Sequence, residues 1–453
     1  MKRLTLGLLL WCLAPLLWAA NWQAQPGQAL QPLLDNAASG DTIVLPAGDY
    51  PGPLTVSKPL QLQGQAGATL VGNGSGSALF ISAADTRVAG LTIRNWGDDV
   101  FSLDAGVQLL PGAHRAQLRH LTLQGPGYGI YAEQLQAPVI EDCTISGDPQ
   151  LYVLDRGDGI AMRYVTDPQV HRNHMQNVRD GIYLEDVNGS RLSHNEFQQL
   201  QYGIHYMYTH DDVAWHNHAQ SVTGGYALMS SKDITLTDNQ VRDAVDFGIL
   251  LNVTTNSVVQ RNLATQVHNP RARPQDGTEG KALFIYDARD NHIRANRFAV
   301  SDIGISVAMG AEGNHFYGNS MIHNHTQVRY IGTRALEWSH QGRGNYWSSY
   351  QGWDLNGDGV GDHPYQPNDA LDRLLWLYPS AQQLLDSPVV QLLRWLSATL
   401  ALQKDVGITD SHPLLGAVPI GDDTQNAPAD AQRNNAVQAH IATQLQEVTD
   451  ADH

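Results

Sequence analysis

The sequence predicts an all-β protein that folds as a right-handed parallel β-helix, a solenoid of stacked coils, with a short helical segment near its C-terminal end. A glycine returns every 22 residues, and an asparagine follows each glycine by 14 residues. The glycines are Gly159, Gly181, Gly203 and Gly225, and the asparagines are Asn173, Asn195, Asn217 and Asn239. A fixed period in this range is typical of stacked repeats. The unit is too short for two helices and alternates apolar with polar residues, which indicates strands; right-handed crossovers predominate between parallel strands.

Changes in amino-acid composition along the chain divide it into five segments. Residues 1–20 have a basic start, an apolar run and small final residues, which is typical of a secretory signal peptide. Residues 21–335 hold the β-helix, and residues 336–370 form a Gly- and Asp-rich loop block. Residues 371–415 show the spacing of an amphipathic helix, and residues 416–453 are a tail whose polar composition indicates weak order.

Charge and cysteine content exclude some functions. The net charge is −17, which opposes nucleic-acid binding and tolerates metal cations. Cys12 lies in the signal peptide, so the exported chain holds a single cysteine, Cys143, and no internal disulfide can form. An asparagine that recurs at one position of each coil predicts an internal ladder in a turn. Cys143 follows Gly129 by the same 14 residues as these asparagines, so we expect it to be a buried structural thiol in that ladder.

The alternation within each coil predicts which side chains face outward. The first and third residues after the repeat glycine are apolar, as in Ile204 and Tyr206, so the second and fourth face out. In the stretch GIHYMYTH, residues 203–210, those outward positions hold His205 and Met207. In the next coil Met229 lies directly over Met207.

These outward side chains form a candidate copper site. Imidazole and thioether are soft ligands that suit Cu(I), and the predicted set is His205, Met207 and Met229, with His210 in the following turn. The alternative is that the methionines pack beneath a covering loop or form a surface for a protein partner.

A second candidate metal site lies in the stretch DLNGDGVGD. The side chains of Asp354, Asn356, Asp358 and Asp362 and the carbonyl of Val360 have the spacing of oxygen ligands in a calcium loop. The glutamate that normally ends such a loop is missing. A Gly-rich Asx turn without metal is the alternative interpretation.

The alternative function is an exported carbohydrate-active enzyme or a carbohydrate-binding module on the same scaffold, because exported β-solenoids include polysaccharide lyases, hydrolases and epimerases. Such an enzyme needs carboxylates, or a carboxylate with a base, on an outer sheet. The candidates are Asp180, Glu185, Arg163 and Tyr183 on neighbouring coils. Arg163 and Glu185 are equally an ion pair between coils that contributes little, and no nucleophile–base arrangement stands out.

Four stretches carry a resemblance to a known family: GIHYMYTH, GYALMSSK, GRGNYWSSYQGWDLNGDGVGDHPY and DRLLWLYP. In this order, behind a signal peptide and the repeat, they resemble the NosD family of periplasmic maturation proteins of nitrous oxide reductase, up to about residue 415. The resemblance implies a non-enzymatic, periplasmic role in denitrification, the assembly of the copper centres of that reductase. It also implies an ABC transporter permease and its ATPase as partners, a copper chaperone as donor, and membrane association through partners only.

The resemblance gives the amphipathic segment a candidate role. Its apolar residues are Val389, Val390, Leu392, Leu393 and Trp395. Such a helix either docks on the permease or near the membrane, or covers the open end of the solenoid. Both interpretations stay open at this point.

Overall fold

The structure is a computed structural model that describes residues 19–273, 276–368 and 407–420, with isolated positions between 372 and 395. Outside these ranges lie residues 1–18 of the predicted signal peptide, most of the segment predicted as helical at 371–415, and the tail from residue 421. Within that segment, Gly407–Thr409 forms a strand.

The described chain is built almost entirely of short strands. It also has an α-helix (α1, Gln31–Asn36), a 3₁₀-helix (Val153–Asp155) and helical backbone at isolated described positions between 372 and 395, within the segment predicted as helical. The strands are β1 (Asn21–Gln23), β2 (Thr42–Leu45), β3 (Gly48–Pro51), β4 (Leu54–Val56), β5 (Gln61–Gly64), β6 (Ala68–Val71), β7 (Leu79–Ile81), β8 (Arg87–Ala89), β9 (Thr92–Arg94), β10 (Ala105–Leu109), β11 (Gln117–Arg119), β12 (Thr122–Gln124), β13 (Tyr128–Glu133), β14 (Val139–Glu141), β15 (Thr144–Ser146), β16 (Ile160–Arg163), β17 (Gln169–His171), β18 (His174–Gln176), β19 (Asp180–Glu185), β20 (Arg191–Ser193), β21 (Glu196–Gln198), β22 (Tyr202–Met207), β23 (Val213–Trp215), β24 (His218–Met229), β25 (Thr235–Thr237), β26 (Gln240–Asn252), β27 (Val258–Gln260), β28 (Leu263–Val267), β29 (Lys281–Tyr286), β30 (His292–Arg294), β31 (Arg297–Ala299), β32 (Ile303–Met309), β33 (His315–Tyr317), β34 (Ser320–Ile322), β35 (Thr326–Tyr330), β36 (Ala335–Glu337), β37 (Tyr346–Trp347) and β38 (Gly407–Thr409).

The strands form three parallel ladders that run the length of a solenoid, which confirms the predicted parallel β-helix. The first ladder has 13 strands in the order β1-β2-β5-β8-β11-β14-β17-β20-β23-β25-β27-β30-β33. The second runs from β3 through β6 and β9 to β37, and the third from β4 through β7 and β10 to β35. The long strands β24 and β26 belong to both the second and the third ladder, which they join. Strands β36 and β38 pair separately.

The core lies inside the three ladders, and the predicted inward positions fill it. Ile204, Tyr206, Tyr226 and Leu228 are all 0% exposed. Because β-branched and aromatic side chains pack well on pleated strands, and each contributes about 1.5–3 kcal/mol on full burial, the inward set holds the coils together.

The repeated asparagines form an internal ladder of hydrogen bonds, as predicted. In each step one side-chain oxygen accepts from the backbone N–H and the side-chain amide of the asparagine one coil earlier; Asn195 accepts from Asn173 at 3.1 and 3.0 Å. Cys143 begins the ladder by donating its backbone N–H to Asn173 at 3.0 Å. Its thiol is buried and free, and it donates to the carbonyls of Glu141 and Leu118.

The last asparagine of the ladder ends on a carboxylate from the C-terminal part of the chain. Asn345 donates its backbone N–H to Asp410 Oδ2 at 2.7 Å and its side-chain amide to the same oxygen at 3.3 Å. Trp347 donates its indole N–H to that oxygen at 2.8 Å. Residues 407–420 therefore return to the solenoid and close its last coil.

Among the described residues, no helix combines the length and the apolar character needed to cross a bilayer.

Candidate metal-binding site on the outer face

The predicted copper ligands lie on the outer face of the third ladder, in the register that the repeat indicated. His205 lies between Tyr183 and Ala227 of the neighbouring coils, and Met207 pairs directly with Met229. Neighbouring strands are about 4.7–4.9 Å apart. The two thioethers and the imidazole therefore project from adjacent positions of one surface.

His205 has one engaged and one free ring nitrogen. Its Nδ1 lies 2.9 Å from Oδ2 of Asp180, which belongs to the preceding coil. The side chain is 13% exposed. Its Nε2 is buried and finds no hydrogen-bond partner within the described part of the chain. A buried ring nitrogen without a partner is unusual in a native structure, because leaving a polar group unpaired costs about 1–3 kcal/mol.

The carboxylate that holds His205 belongs to a buried charged group. Asp180 is 3% exposed, and its Oδ1 accepts the backbone N–H of Tyr202 at 3.2 Å. Asp158, one coil earlier, is fully buried and binds the guanidinium of Arg179 through two bonds of 2.8 and 2.7 Å. Burial raises the pKa of Asp158 to about 6.

Aromatic side chains surround the imidazole on two sides. The rings of Tyr183 and Tyr202 stand edge-on to His205, with centroids 5.1 and 5.3 Å away. Tyr202 also contacts Phe247 at 5.1 Å, a member of a small apolar cluster outside the main core. Outward positions are thus partly covered, which the alternation of side chains alone does not reveal.

The two methionines are half-buried, and Met229 packs against the same outer apolar cluster around Phe247. Packing therefore accounts for part of its environment, as the alternative interpretation held. His210 lies in the turn after β22, where its coil position pairs with Asn188 and Lys232. Its Nδ1 contacts Asp211 at 2.7 Å and its side chain is 43% exposed, so it is accessible to solvent.

The residues considered for sugar chemistry pair with one another or with His205. Arg163 and Glu185 form an ion pair at 2.9 Å between coils, and Tyr183 donates its hydroxyl to Glu185 at 3.1 Å. Burial raises the pKa of Tyr183 above its ordinary value. Asp180 binds His205 instead of facing a groove.

The candidate calcium loop is held by its own backbone. Asp354 accepts the N–H groups of Gly357 and Gly359 at 2.6 and 2.8 Å, and these bonds, the one to Gly359 first, lower the pKa of its carboxyl. Asp362 accepts the N–H of Leu355 at 2.8 Å, and Asn356 donates to Asp358 at 3.0 Å. In the ranges that the structure describes, no three His, Cys, Asp or Glu side chains converge as a metal site. These contacts fit the Asx-turn interpretation, and calcium binding stays a prediction.

The coil register also stacks histidines that the sequence analysis did not single out as pairs. His194 and His216 lie 5.1 Å apart between ring centroids, and His292, His315 and His340 form a stack at 4.9 and 4.6 Å. The sequence contains a signal for two of these pairs, because His194 and His216 are 22 residues apart and His292 and His315 are 23 residues apart.

Comparison with solved structures supports the fold alone. The chain is similar to the Dettilon tailspike protein, with 18% identity, a TM-score of 0.51 and 64% of each chain covered. It is also similar to a PL6 alginate lyase solved with a trisaccharide, with 12% identity, a TM-score of 0.54, and 73% and 85% of the two chains covered.

Comparison with curated relatives and family models identifies the family. Residues 141–352 match the model described as periplasmic copper-binding protein (NosD). A probable ABC transporter binding protein NosD of Stutzerimonas stutzeri is 48% identical over 374 residues, 82% of this chain and 86% of the relative. One from Pseudomonas aeruginosa is 46% identical over 403 residues, 88% and 93% of the two chains. These relatives are named as binding proteins and not as enzymes. The chain therefore belongs to the NosD family of periplasmic copper-binding proteins.

Proposed function

We propose that this protein is a periplasmic copper-binding accessory factor that works with an ABC transporter to assemble the copper centres of nitrous oxide reductase. The family description as copper-binding and the relatives' name as ABC transporter binding proteins support the proposal. The observation that carries it is the unpartnered, buried Nε2 of His205 beside the paired Met207 and Met229.

The ligand chemistry suits transient handling of Cu(I). One imidazole and two thioethers form a soft set that hard cations such as Mg²⁺ or Ca²⁺ bind poorly. The set is half-buried and incomplete, so that an incoming chaperone or an acceptor protein has room to supply or take a ligand. His210, exposed in the next turn, is the candidate fourth ligand once its bond to Asp211 opens.

The partners in this proposal are a copper chaperone as donor, the reductase as acceptor, and the permease and ATPase of the transporter. The predicted signal peptide over residues 1–20 places the chain in the periplasm, and association with the membrane is through these partners. In the segment over residues 371–415, Val389, Leu392 and Trp395 are 64, 54 and 61% exposed. Exposed apolar side chains of this size are typical of interaction surfaces, which supports docking of this segment on the permease.

A Cu(I) competition titration tests the site. The exported chain is titrated against a coloured Cu(I) chelator, beside the triple variant His205→Ala/Met207→Ala/Met229→Ala. We expect the wild type to take Cu(I) from the chelator and the variant to lose this ability. The control variant replaces a histidine and a methionine outside the candidate site: His194, which stacks on His216, and Met309, which is 55% exposed.

The outcome separates the site from general metal binding. Equal Cu(I) binding by wild type and triple variant would refute the site, and an equal loss in the control would show that exposed histidines and methionines bind copper without selection. The role in assembly is tested separately, by the copper content of nitrous oxide reductase made in a host that carries only the triple variant. A reductase with full copper content would contradict that role.

The carbohydrate-active alternative has no comparable observation in its favour. Its candidate residues are paired with one another or with His205, and the similarity to an alginate lyase extends to the fold alone. We do not propose it as a second function.

A further inference from the structure

We infer that Asp180 is the positioning residue of the copper site: it holds the proton of the His205 imidazole on Nδ1, so that Nε2 presents its lone pair to the metal. The inference rests on the proposed function and assigns to Asp180 a role that replaces the sugar chemistry considered for it from the sequence.

The tautomer follows from the hydrogen bonds. Both carboxylate oxygens of Asp180 face donors: Oδ1 accepts the backbone N–H of Tyr202, and Oδ2 lies 2.9 Å from Nδ1 of His205. Because a carboxylate oxygen accepts hydrogen bonds, the neutral ring donates from Nδ1, and Nε2 is the atom with the lone pair. The other tautomer would turn the lone pair of Nδ1 toward the carboxylate oxygen and lose this hydrogen bond.

The carboxylate is itself fixed in place. Its Oδ1 accepts the backbone N–H of Tyr202 at 3.2 Å, and Asp180 is 3% exposed, so its side chain has little freedom. The edge-on rings of Tyr183 and Tyr202 hold the plane of the imidazole. A carboxylate bound to the far nitrogen of a ligating histidine orients the ring and raises its basicity.

The ligand set favours Cu(I) over Zn²⁺. The thioethers of Met207 and Met229 are soft ligands that suit Cu(I), whereas Zn²⁺ is bound in proteins by thiolate, imidazole and carboxylate groups.

Asp180→Asn is the informative substitution because the amide has nearly the shape of the carboxylate but replaces one accepting oxygen with a donating NH₂ group. The amide oxygen is needed by the N–H of Tyr202, so the amide NH₂ faces Nδ1 of His205. That nitrogen must then accept, which moves the ring proton to Nε2, where it blocks the metal. The matched control is Glu196→Gln, a carboxylate 3.2 Å from Nδ1 of His174 on another ladder.

Two measurements are made on the exported full-length chain. Long-range ¹H–¹⁵N correlation spectra of the metal-free, histidine-labelled protein, at about pH 8 where histidines are ordinarily neutral, report the tautomer of His205 without copper. We expect the proton on Nδ1 in the wild type and on Nε2 in Asp180→Asn. In Cu(I) competition we expect Asp180→Asn to lose about 10–100-fold in affinity and Glu196→Gln to match the wild type; Zn²⁺ is measured in parallel.

The outcomes separate the inference from the function it rests on. Equal Cu(I) affinity of wild type and His205→Ala would refute both. If His205→Ala is impaired, then an unchanged tautomer or an unchanged affinity in Asp180→Asn overturns the inference alone. Tighter binding of Zn²⁺ than of Cu(I) contradicts the preference expected from the thioether ligands. Should Asp180→Asn fail to fold, the wild-type spectrum still decides, because a proton on Nε2 would contradict the assignment.

Discussion

Replacing one asparagine of the internal ladder, Asn217→Ala, is expected to destabilise the solenoid strongly. Asn217 is 1% exposed, and its Oδ1 accepts the backbone N–H of Asn195 at 3.0 Å and the side-chain amide of Asn195 at 2.9 Å. Its own amide donates to the carbonyls of Leu192 and Trp215 at 3.0 and 3.2 Å and to Oδ1 of Asn239 at 2.9 Å. Alanine removes all five bonds at once.

The size of the effect follows from the groups left unpaired. The backbone N–H of Asn195 becomes a buried donor without a partner, at a cost of about 1–3 kcal/mol, and each lost amide bond adds about 1 kcal/mol. We therefore expect a loss of about 3–5 kcal/mol in the free energy of unfolding. No cavity the size of a core side chain is created, so the loss reports hydrogen bonding more than packing.

Urea unfolding followed by circular dichroism measures the total, and hydrogen exchange at the Asn195 amide measures the local part. The control is Asn73→Ala, an exposed loop asparagine that accepts the N–H of Ser75 at 3.0 Å, where we expect a change within about 1 kcal/mol. A loss below about 1 kcal/mol for Asn217→Ala, with unchanged exchange at Asn195, would refute the view that the ladder stabilises the coils.

Three further predictions concern buried or acidic groups. Burial raises the pKa of Asp212 from 3.8 to about 6, so folding favours its protonated form; the wild type therefore loses stability as pH rises from about 4 to 6. Asn291 occupies the equivalent position in a later coil. Asp212→Asn should therefore raise the free energy of unfolding in urea by up to about 3 kcal/mol above pH 6 and leave it unchanged below pH 4. An increase that does not depend on pH would contradict this. Burial raises the pKa of Cys143 to about 12, so iodoacetamide at about pH 8 should label it only in unfolded protein, and rapid labelling of folded protein would show the thiol to be accessible. Calcium should raise Tm through the loop at residues 354–362, and Asp358→Ala should remove the shift; no shift in the wild type would leave the loop as an Asx turn.

The periodic part of the molecule was predictable because each coil repeats the same local physics. Glycine and asparagine spacing set the register, and the register placed Met229 beside Met207 and identified the asparagine ladder. The same reasoning placed Cys143 in the ladder and in the core. None of these conclusions required knowledge of a side-chain conformation.

Contacts that leave the repeat were not predictable in this way. Asp180 reaches His205 diagonally, from a position before the repeat glycine of one coil to the outer face of the next, so the contact depends on rotamers as well as register. Asp410 meets Asn345 across 65 residues of sequence, with no periodic signal between them. Phe247 covers part of the outer face because β26 continues as one long strand where most other coils have two short strands separated by a turn.

The carboxylate of Asp410 at the end of the asparagine ladder has a consequence for self-association. The amides of the ladder all point the same way, so their dipoles add. Without a partner, the last amide would expose unpaired donors, and a second solenoid could stack on them. Asp410 occupies those donors and brings a negative charge to the positive end of the row. At this end of the described solenoid the asparagine ladder therefore has no free donors onto which a second copy of the chain could stack.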